Sequence, residues 1–173
     1  MVDASAIMAS GEVKPFNATV YRICAQRHSR STLSLRGSLQ FPGRYHLRGY
    51  FGALYTSARL ETAVLEVNRR LTVPPRDAFV SSALRISFSR VLDLTNPRVL
   101  RKTSTTLSQL TVEDYAVCQQ LGLRAWEASL EALITPSAVD PRQQNIVIFL
   151  DNQHPGWTVE LLSVEPVAVG PAS

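Results

Sequence analysis

Cysteine is scarce in this chain. Cys24 and Cys118 are the two in 173 residues and neither stands at a metal-ligand spacing. Neither a disulfide scaffold nor a thiolate metal site has support, and both are expected as reduced thiols. The three histidines, His28, His46 and His154, lie far apart, so no metal is expected. Lysine is rarer than the basic charge suggests: only Lys14 and Lys102 stand among 18 Lys and Arg residues. No apolar run approaches the roughly 20 residues of a membrane span. The start of the chain has no basic segment followed by a long apolar one, so no secretory signal is read and the cytoplasm is the expected location. The GxSxG elbow, the P-loop and a strand-following GxGxxG are all missing, which leaves the triad hydrolases and the common nucleotide cradles without a motif. No helix-turn-helix, zinc finger or RNP-like pattern appears, and no internal repeat.

What is present is arginine, unevenly placed. Residues 1–102 hold 16 Lys and Arg against 6 Asp and Glu, net +10; residues 103–173 hold 2 against 8, net −6. Arginine suits planar, bidentate grips on phosphate. A phosphate-bearing ligand or polyanion and an ordinary arginine-rich surface both fit these numbers. A length of 173 residues suits one domain. We expect a loose leader over 1–17, a single domain over 18–166 and a frayed tail over 167–173.

The stretch from Gly43 to Glu66 organises the rest. A glycine-spaced basic loop with Arg44, Tyr45 and Arg48 leads to a short strand around Leu54-Tyr55-Thr56. A helix is expected to open at Ser57 as N-cap, with Glu61 near its positive end. Leu60, Ala63, Val64, Val67 and Leu71 recur at helical spacing, which puts Glu66 on the flank of the apolar face. Such a carboxylate either looks into a cleft or is solvated.

Around it, Thr19 to Cys24 reads as a first strand containing Arg22, and Gln26 to Leu39 as a mobile polar loop. Leu84 to Phe88 alternates as a half-buried strand and Val91 to Leu94 as another. Thr111 is expected to cap a helix that stops at Gly122. Leu123, Trp126, Leu130 and Leu133 mark a further helix. Ser137 falls in a connection, where a serine after proline is commonly a turn residue. Asn145 to Leu150 is a nearly continuous apolar run, typical of a central strand. Trp157 to Leu162 is the last strand.

Arginines, tyrosines, one glutamate and one serine suit chemistry on a dinucleotide whose leaving group is already cationic. In NAD the nicotinamide is a pyridinium, so the glycosidic bond breaks toward an oxocarbenium-like ribose. Arginine can clamp the pyrophosphate, and a carboxylate beside the ribose can stabilise the developing charge.

Four blocks in order resemble one family. Val20-Tyr21-Arg22-Ile23, Gly43-Arg44-Tyr45, Leu54-Tyr55-Thr56-Ser57 with Glu61 to Glu66, and Thr135-Pro136-Ser137-Ala138 followed by Asn145 to Phe149 are similar to the RES domain, the toxin half of RES–Xre toxin–antitoxin pairs. The resemblance implies an α+β, ADP-ribosyltransferase-like fold with a split β core and flanking helices. It implies a toxin that consumes NAD+ by hydrolysis or phosphorolysis, or that transfers ADP-ribose to a protein. Glu66, Arg44 and Ser137 would be catalytic. Arg22, Arg44, Tyr45, Tyr55, Ser137 and Asn145 would hold NAD+, with Tyr55 against the nicotinamide. Tyr45 stands where the family usually has tryptophan, and whether Arg22 or Arg44 supplies the family's arginine stays open. An Xre-like antitoxin is the implied partner, through which any DNA contact would pass. The competing class is a non-enzymatic arginine-rich module that binds nucleic acid or a protein.

Overall fold

The computed structural model describes residues 7 and 11–171. The chain mixes helix and strand, as an α+β protein. Among the described residues six strands form one sheet: β1 (Val13–Ala25), β2 (Leu54–Ser57), β3 (Phe79–Asp93), β4 (Ala132–Pro136), β5 (Gln144–Ile148) and β6 (Thr158–Val167). Their order is β1-β2-β5-β4-β3-β6, with β1 also paired to β3. That added pairing closes the first five strands into a ring. All neighbours run antiparallel except β3 and β4.

β3 makes the ring possible. Expected as two short strands, it is one of 15 residues. One edge pairs with β1 along its length. The other pairs with β6 over Phe79–Ser87 and then with β4 over Val91–Asp93. Its alternation is clean: Leu84, Ile86 and Phe88 are buried between the more exposed Arg85, Ser87 and Ser89. They join Val20, Leu54, Ile134, Ile146 and Ile148 in one core cluster. At roughly 1.5–3 kcal/mol for each large side chain, that cluster holds the ring shut. β5 sits between β2 and β4 and buries Ile146, Val147 and Ile148, as its apolar run requires.

Among residues 11–171 five α-helices pack around the sheet: α1 (Arg36–Gln40), α2 (Leu60–Asn68), α3 (Pro97–Lys102), α4 (Leu107–Thr111) and α5 (Ala116–Glu127). A second core cluster joins Leu110 of α4 and Cys118, Leu121 and Ala125 of α5 to Leu92, Leu133, Val147 and Phe149 of the strands. Trp126 packs here, stacked on Phe51 at 5.0 Å.

Several local expectations change. Residues 13–17 are strand, not leader. Gln26 to Leu39 carries a 3₁₀ turn (Gln26–Ser31) and most of α1, so it is ordered backbone. Ser57 ends β2, and Arg59 occupies the N-cap of α2 without a side-chain bond. Thr111 ends a helix instead of starting one; the cap belongs to Thr106, whose hydroxyl and Gln109 form a capping box. Gly122 does not stop a helix but lies inside α5. A Cβ there would come within 1.8 Å of the Tyr45 carbonyl oxygen, so glycine is needed for close packing. Leu133 is strand, because β4 takes over where a helical spacing continued by chance. The expected tail begins inside β6, which reaches Val167, and the Gly170 amide donates to Asn68 Oδ1 at 2.9 Å; residues 172–173 lie outside the described residues. Among the described residues no helix is long and apolar enough to cross a membrane.

Candidate active site

Glu66 lies on α2, three and four residues after the buried Ala63 and Thr62. That spacing turns its carboxylate toward the sheet. Oε1 accepts three hydrogen bonds: from Ser137 Oγ at 2.7 Å, Asn145 Nδ2 at 2.7 Å and the Ala138 amide at 3.1 Å. No described residue bonds to Oε2. One carboxylate oxygen is thus anchored and the other is left for a ligand.

The anchors are themselves fixed. Ser137 is fully buried; its hydroxyl donates to Glu66 and accepts the Val139 and Asp140 amides at 3.2 and 3.4 Å. Asn145 stands opposite both Ser57 of β2 and Thr135 of β4 in the ladder. Ser57 Oγ donates to Asn145 Oδ1 at 2.6 Å, which leaves the Asn145 amide free to donate to Glu66. Ser57 therefore orients the site from behind instead of capping the helix.

Two arginines complete the cleft. Arg22 Nη1 donates to the Tyr55 carbonyl at 3.1 Å, while its Nε is buried with no partner. Burial pulls the Arg22 guanidinium below its usual pKa range, against a smaller opposing influence of Cys24. Arg44 Nη1 donates to the Leu110 and Val112 carbonyls at 3.2 and 2.5 Å, and the guanidinium lies 4.3 Å over the Tyr115 ring. Its Nη2 is buried and unpartnered. A buried donor left unpaired costs about 1–3 kcal/mol. Two such donors in one cleft fit an anionic ligand that would satisfy them.

Tyr55 is pinned by a relay that starts with histidine. His46 Nε2 lies 2.7 and 2.9 Å from the Ser38 and Phe41 carbonyls, so it carries the proton and donates. Nδ1 then accepts from the Tyr55 hydroxyl at 2.8 Å, which in turn accepts the Tyr45 amide at 2.9 Å. Burial raises the Tyr55 phenol well above its usual range, opposed by the Tyr45 amide bond; Tyr55 stays neutral and offers its ring. Gly43 is confined by this relay: a Cβ would meet the His46 ring at 2.5 Å and the Tyr55 hydroxyl at 2.6 Å. Tyr45, 1% exposed, forms the floor of the cleft. Burial also pushes its phenol up.

The cleft has a volume of about 120 Å³ and brings together Arg22, Arg44, Tyr45, Tyr55, Glu66 and Asn145. Ser137 sits behind Glu66. Sequence reasoning missed His46, Ser57 and the pair Arg69-Arg70. The arginines had a readable signal: they follow Glu66 at helical spacing of three and four. Cys24 and Cys118 are free thiols. Burial raises the Cys118 thiol above its usual range, which disfavours a thiolate nucleophile. Among the described residues no group of three or more His, Cys, Asp and Glu is placed to hold a metal ion.

The chain is 30% identical over 112 residues to the curated "Probable NAD(+) phosphorylase Rv3189" of Mycobacterium tuberculosis, a match covering 63% of this chain and 54% of that relative. The match thus spans about half of the relative's length. The fold resembles a chain of the crystal structure of the M. tuberculosis MbcT-MbcA toxin-antitoxin complex, with a TM-score of 0.82 and 21% identity, covering 95% of this chain and 91% of that one. The RES domain model matches residues 19–165, nearly the whole ring of strands and its helices. The chain belongs to the RES domain family.

Proposed function

We propose that this protein is a toxin that degrades NAD+ by breaking the bond between ribose and nicotinamide. The observation that carries this is Glu66. Three donors hold its Oε1 while Oε2 stays unpaired, in a cleft shared with two half-buried arginines that each have one buried nitrogen without a partner. A fixed, half-satisfied carboxylate suits a cationic transition state, and unpaired guanidinium groups suit a pyrophosphate.

In this reading Arg22 and Arg44 hold the pyrophosphate. Glu66 Oε2 faces the ribose and stabilises the positive charge that grows on it. The Tyr55 ring packs against the nicotinamide, and Tyr45 closes the floor. Nicotinamide leaves as a neutral base by taking the bonding electron pair, so no acid is needed. Ser137 and Asn145 position Glu66 through Oε1, since their polar groups are already committed to it and to their neighbours. The split, nearly closed ring is the ADP-ribosyltransferase-like core, and the toxin unit is a single domain.

An enzyme that destroys NAD+ in the cytoplasm of its own host needs restraint. We assign that role to an Xre-like antitoxin whose acidic or carboxylate-ended segment lies over the arginine-lined cleft. The +10 of residues 1–102 would steer it there. The test is expression in a bacterial host. Cellular NAD+ should fall before growth stops, and co-expression of the neighbouring antitoxin gene should restore both. Harmless expression of folded protein with unchanged NAD+ would overturn the proposal.

A further inference from the structure

The two arginines of the cleft are held differently from arginines on the surface. Arg27, Arg85, Arg124 and Arg142 are each paired with a carboxylate. Arg22 and Arg44 form no ion pair among the described residues, and the oxygens they donate to are backbone carbonyls. A carboxylate partner would orient a guanidinium and cancel its field together. A neutral acceptor orients it and leaves the whole positive charge for a ligand.

Arg44 is gripped by one piece of chain. Its Nη1 donates to the Leu110 and Val112 carbonyls at the C-terminal end of α4, where helical amides run out. Three residues on, the Tyr115 ring lies against the guanidinium, 4.3 Å from Cζ to the ring centre. Tyr115 occupies the N-cap of α5 and makes no side-chain cap bond. Asp114 Oδ1 accepts the Ala116 amide at 3.0 Å. A tyrosine there forgoes the stabilisation that Ser, Thr, Asp or Asn brings at an N-cap. A residue that breaks a local preference points to a use elsewhere in the fold, and here the use is Arg44. The same connection is tied to the helix of Glu66: Glu113 pairs with Arg69, whose amide donates to the Leu65 carbonyl. Residues 112–115 thereby set Arg44 relative to Glu66.

We propose that Tyr115 is a positioning residue for the dinucleotide. It acts through Arg44, whose buried and unpartnered Nη2 it aims at the pyrophosphate. The negative face of the ring attracts the cation without neutralising it. The hydroxyl has no part in this. The proposal rests on the NAD+-cleaving reading, in which Arg44 grips the pyrophosphate, and adds a residue that reading does not contain.

The experiment uses ADP-ribose as a probe of the pyrophosphate grip and nicotinamide as a probe of the other end, both by calorimetry. Four proteins are compared: the parent, Tyr115→Phe, Tyr115→Leu, and a protein with trifluorophenylalanine at position 115, which keeps the ring's shape and drains its face. Tyr115→Phe should bind ADP-ribose like the parent. Tyr115→Leu and the fluorinated protein should bind it about three- to thirtyfold more weakly, the worth of a cation–π contact. The fluorinated protein carries the test should Tyr115→Leu not fold. Nicotinamide affinity should change less than about twofold throughout. In steady state the half-saturating NAD+ concentration should rise with the loss of ADP-ribose affinity while turnover stays within about threefold, as for a group that binds ground and transition states alike. Parent-like ADP-ribose binding by the fluorinated protein would overturn the proposal, because bulk alone would then suffice. So would weak binding by Tyr115→Phe, which would give the role to the hydroxyl, or losses of both probes in step with a fall in Tm. A parent that binds no ADP-ribose and leaves NAD+ intact would overturn the reading beneath the proposal and the proposal with it.

Discussion

Replacing Glu66 with glutamine separates chemistry from architecture. The amide oxygen can take over the three bonds now made to Oε1 from Ser137, Asn145 and Ala138, and the amide nitrogen takes the place of the unpaired Oε2. Each bond passes from a charged to a neutral acceptor and loses about 1 kcal/mol. A neutral amide also costs less to keep beside the sheet than a carboxylate. The net loss should be about 1–2 kcal/mol, a drop of roughly 2–8 °C in Tm for a domain of this size. The transition state loses its countercharge entirely. That is worth about 2.7–4 kcal/mol, or 10²–10³ in turnover. Thermal denaturation and NAD+ turnover on the same preparation therefore give a small effect and a large one. Turnover within a few-fold of the parent would refute the role of Glu66. A collapse in Tm with proportionate loss of activity would make the carboxylate an architectural anchor instead.

Other substitutions probe the surroundings. Arg22→Lys should raise the half-saturating NAD+ concentration about tenfold with a smaller effect on turnover, because lysine lacks the fork that both bonds Tyr55 and lines the cleft; unchanged steady-state kinetics would return Arg22 to a structural role. Tyr55→Phe removes the link between the Tyr45 amide and His46 Nδ1 and should cost about 2–4 kcal/mol in a denaturant titration, since two buried groups lose partners. Gly122→Ala drives a methyl into the Tyr45 carbonyl and should cost about 3 kcal/mol or prevent soluble expression; a parent-like Tm would show that the α5 contact is loose.

The sequence made the central stretch legible because its pattern is local. The β2 strand, the Glu61 position in the first turn and the flank placement of Glu66 follow from spacing alone. β5 was legible as an apolar run for the same reason. The Glu66–Ser137–Asn145 cluster was not readable from spacing, because it joins residues more than 70 positions apart through the β2–β5–β4 ladder; only the family resemblance brought these residues together. Ser57 was misplaced as a helix cap, since serine before a helical pattern has that local preference, yet its hydroxyl is taken by Asn145 across the ladder. Gly122 was read as a stop for a similar reason. Its purpose lies in a contact with Tyr45 that no one-dimensional pattern displays. His46 was passed over as one of three scattered histidines. Its role depends on the loop folding back so that two carbonyls and Tyr55 surround its ring.

The most direct measurement is proton NMR of NAD+ incubated with the purified protein, free of any antitoxin, with and without phosphate, beside the Glu66→Gln variant. The account predicts that the parent releases one nicotinamide for each NAD+ lost and that the variant leaves NAD+ intact over the same time. Unchanged NAD+ with the folded parent in both buffers, or equal release by parent and variant, would contradict it.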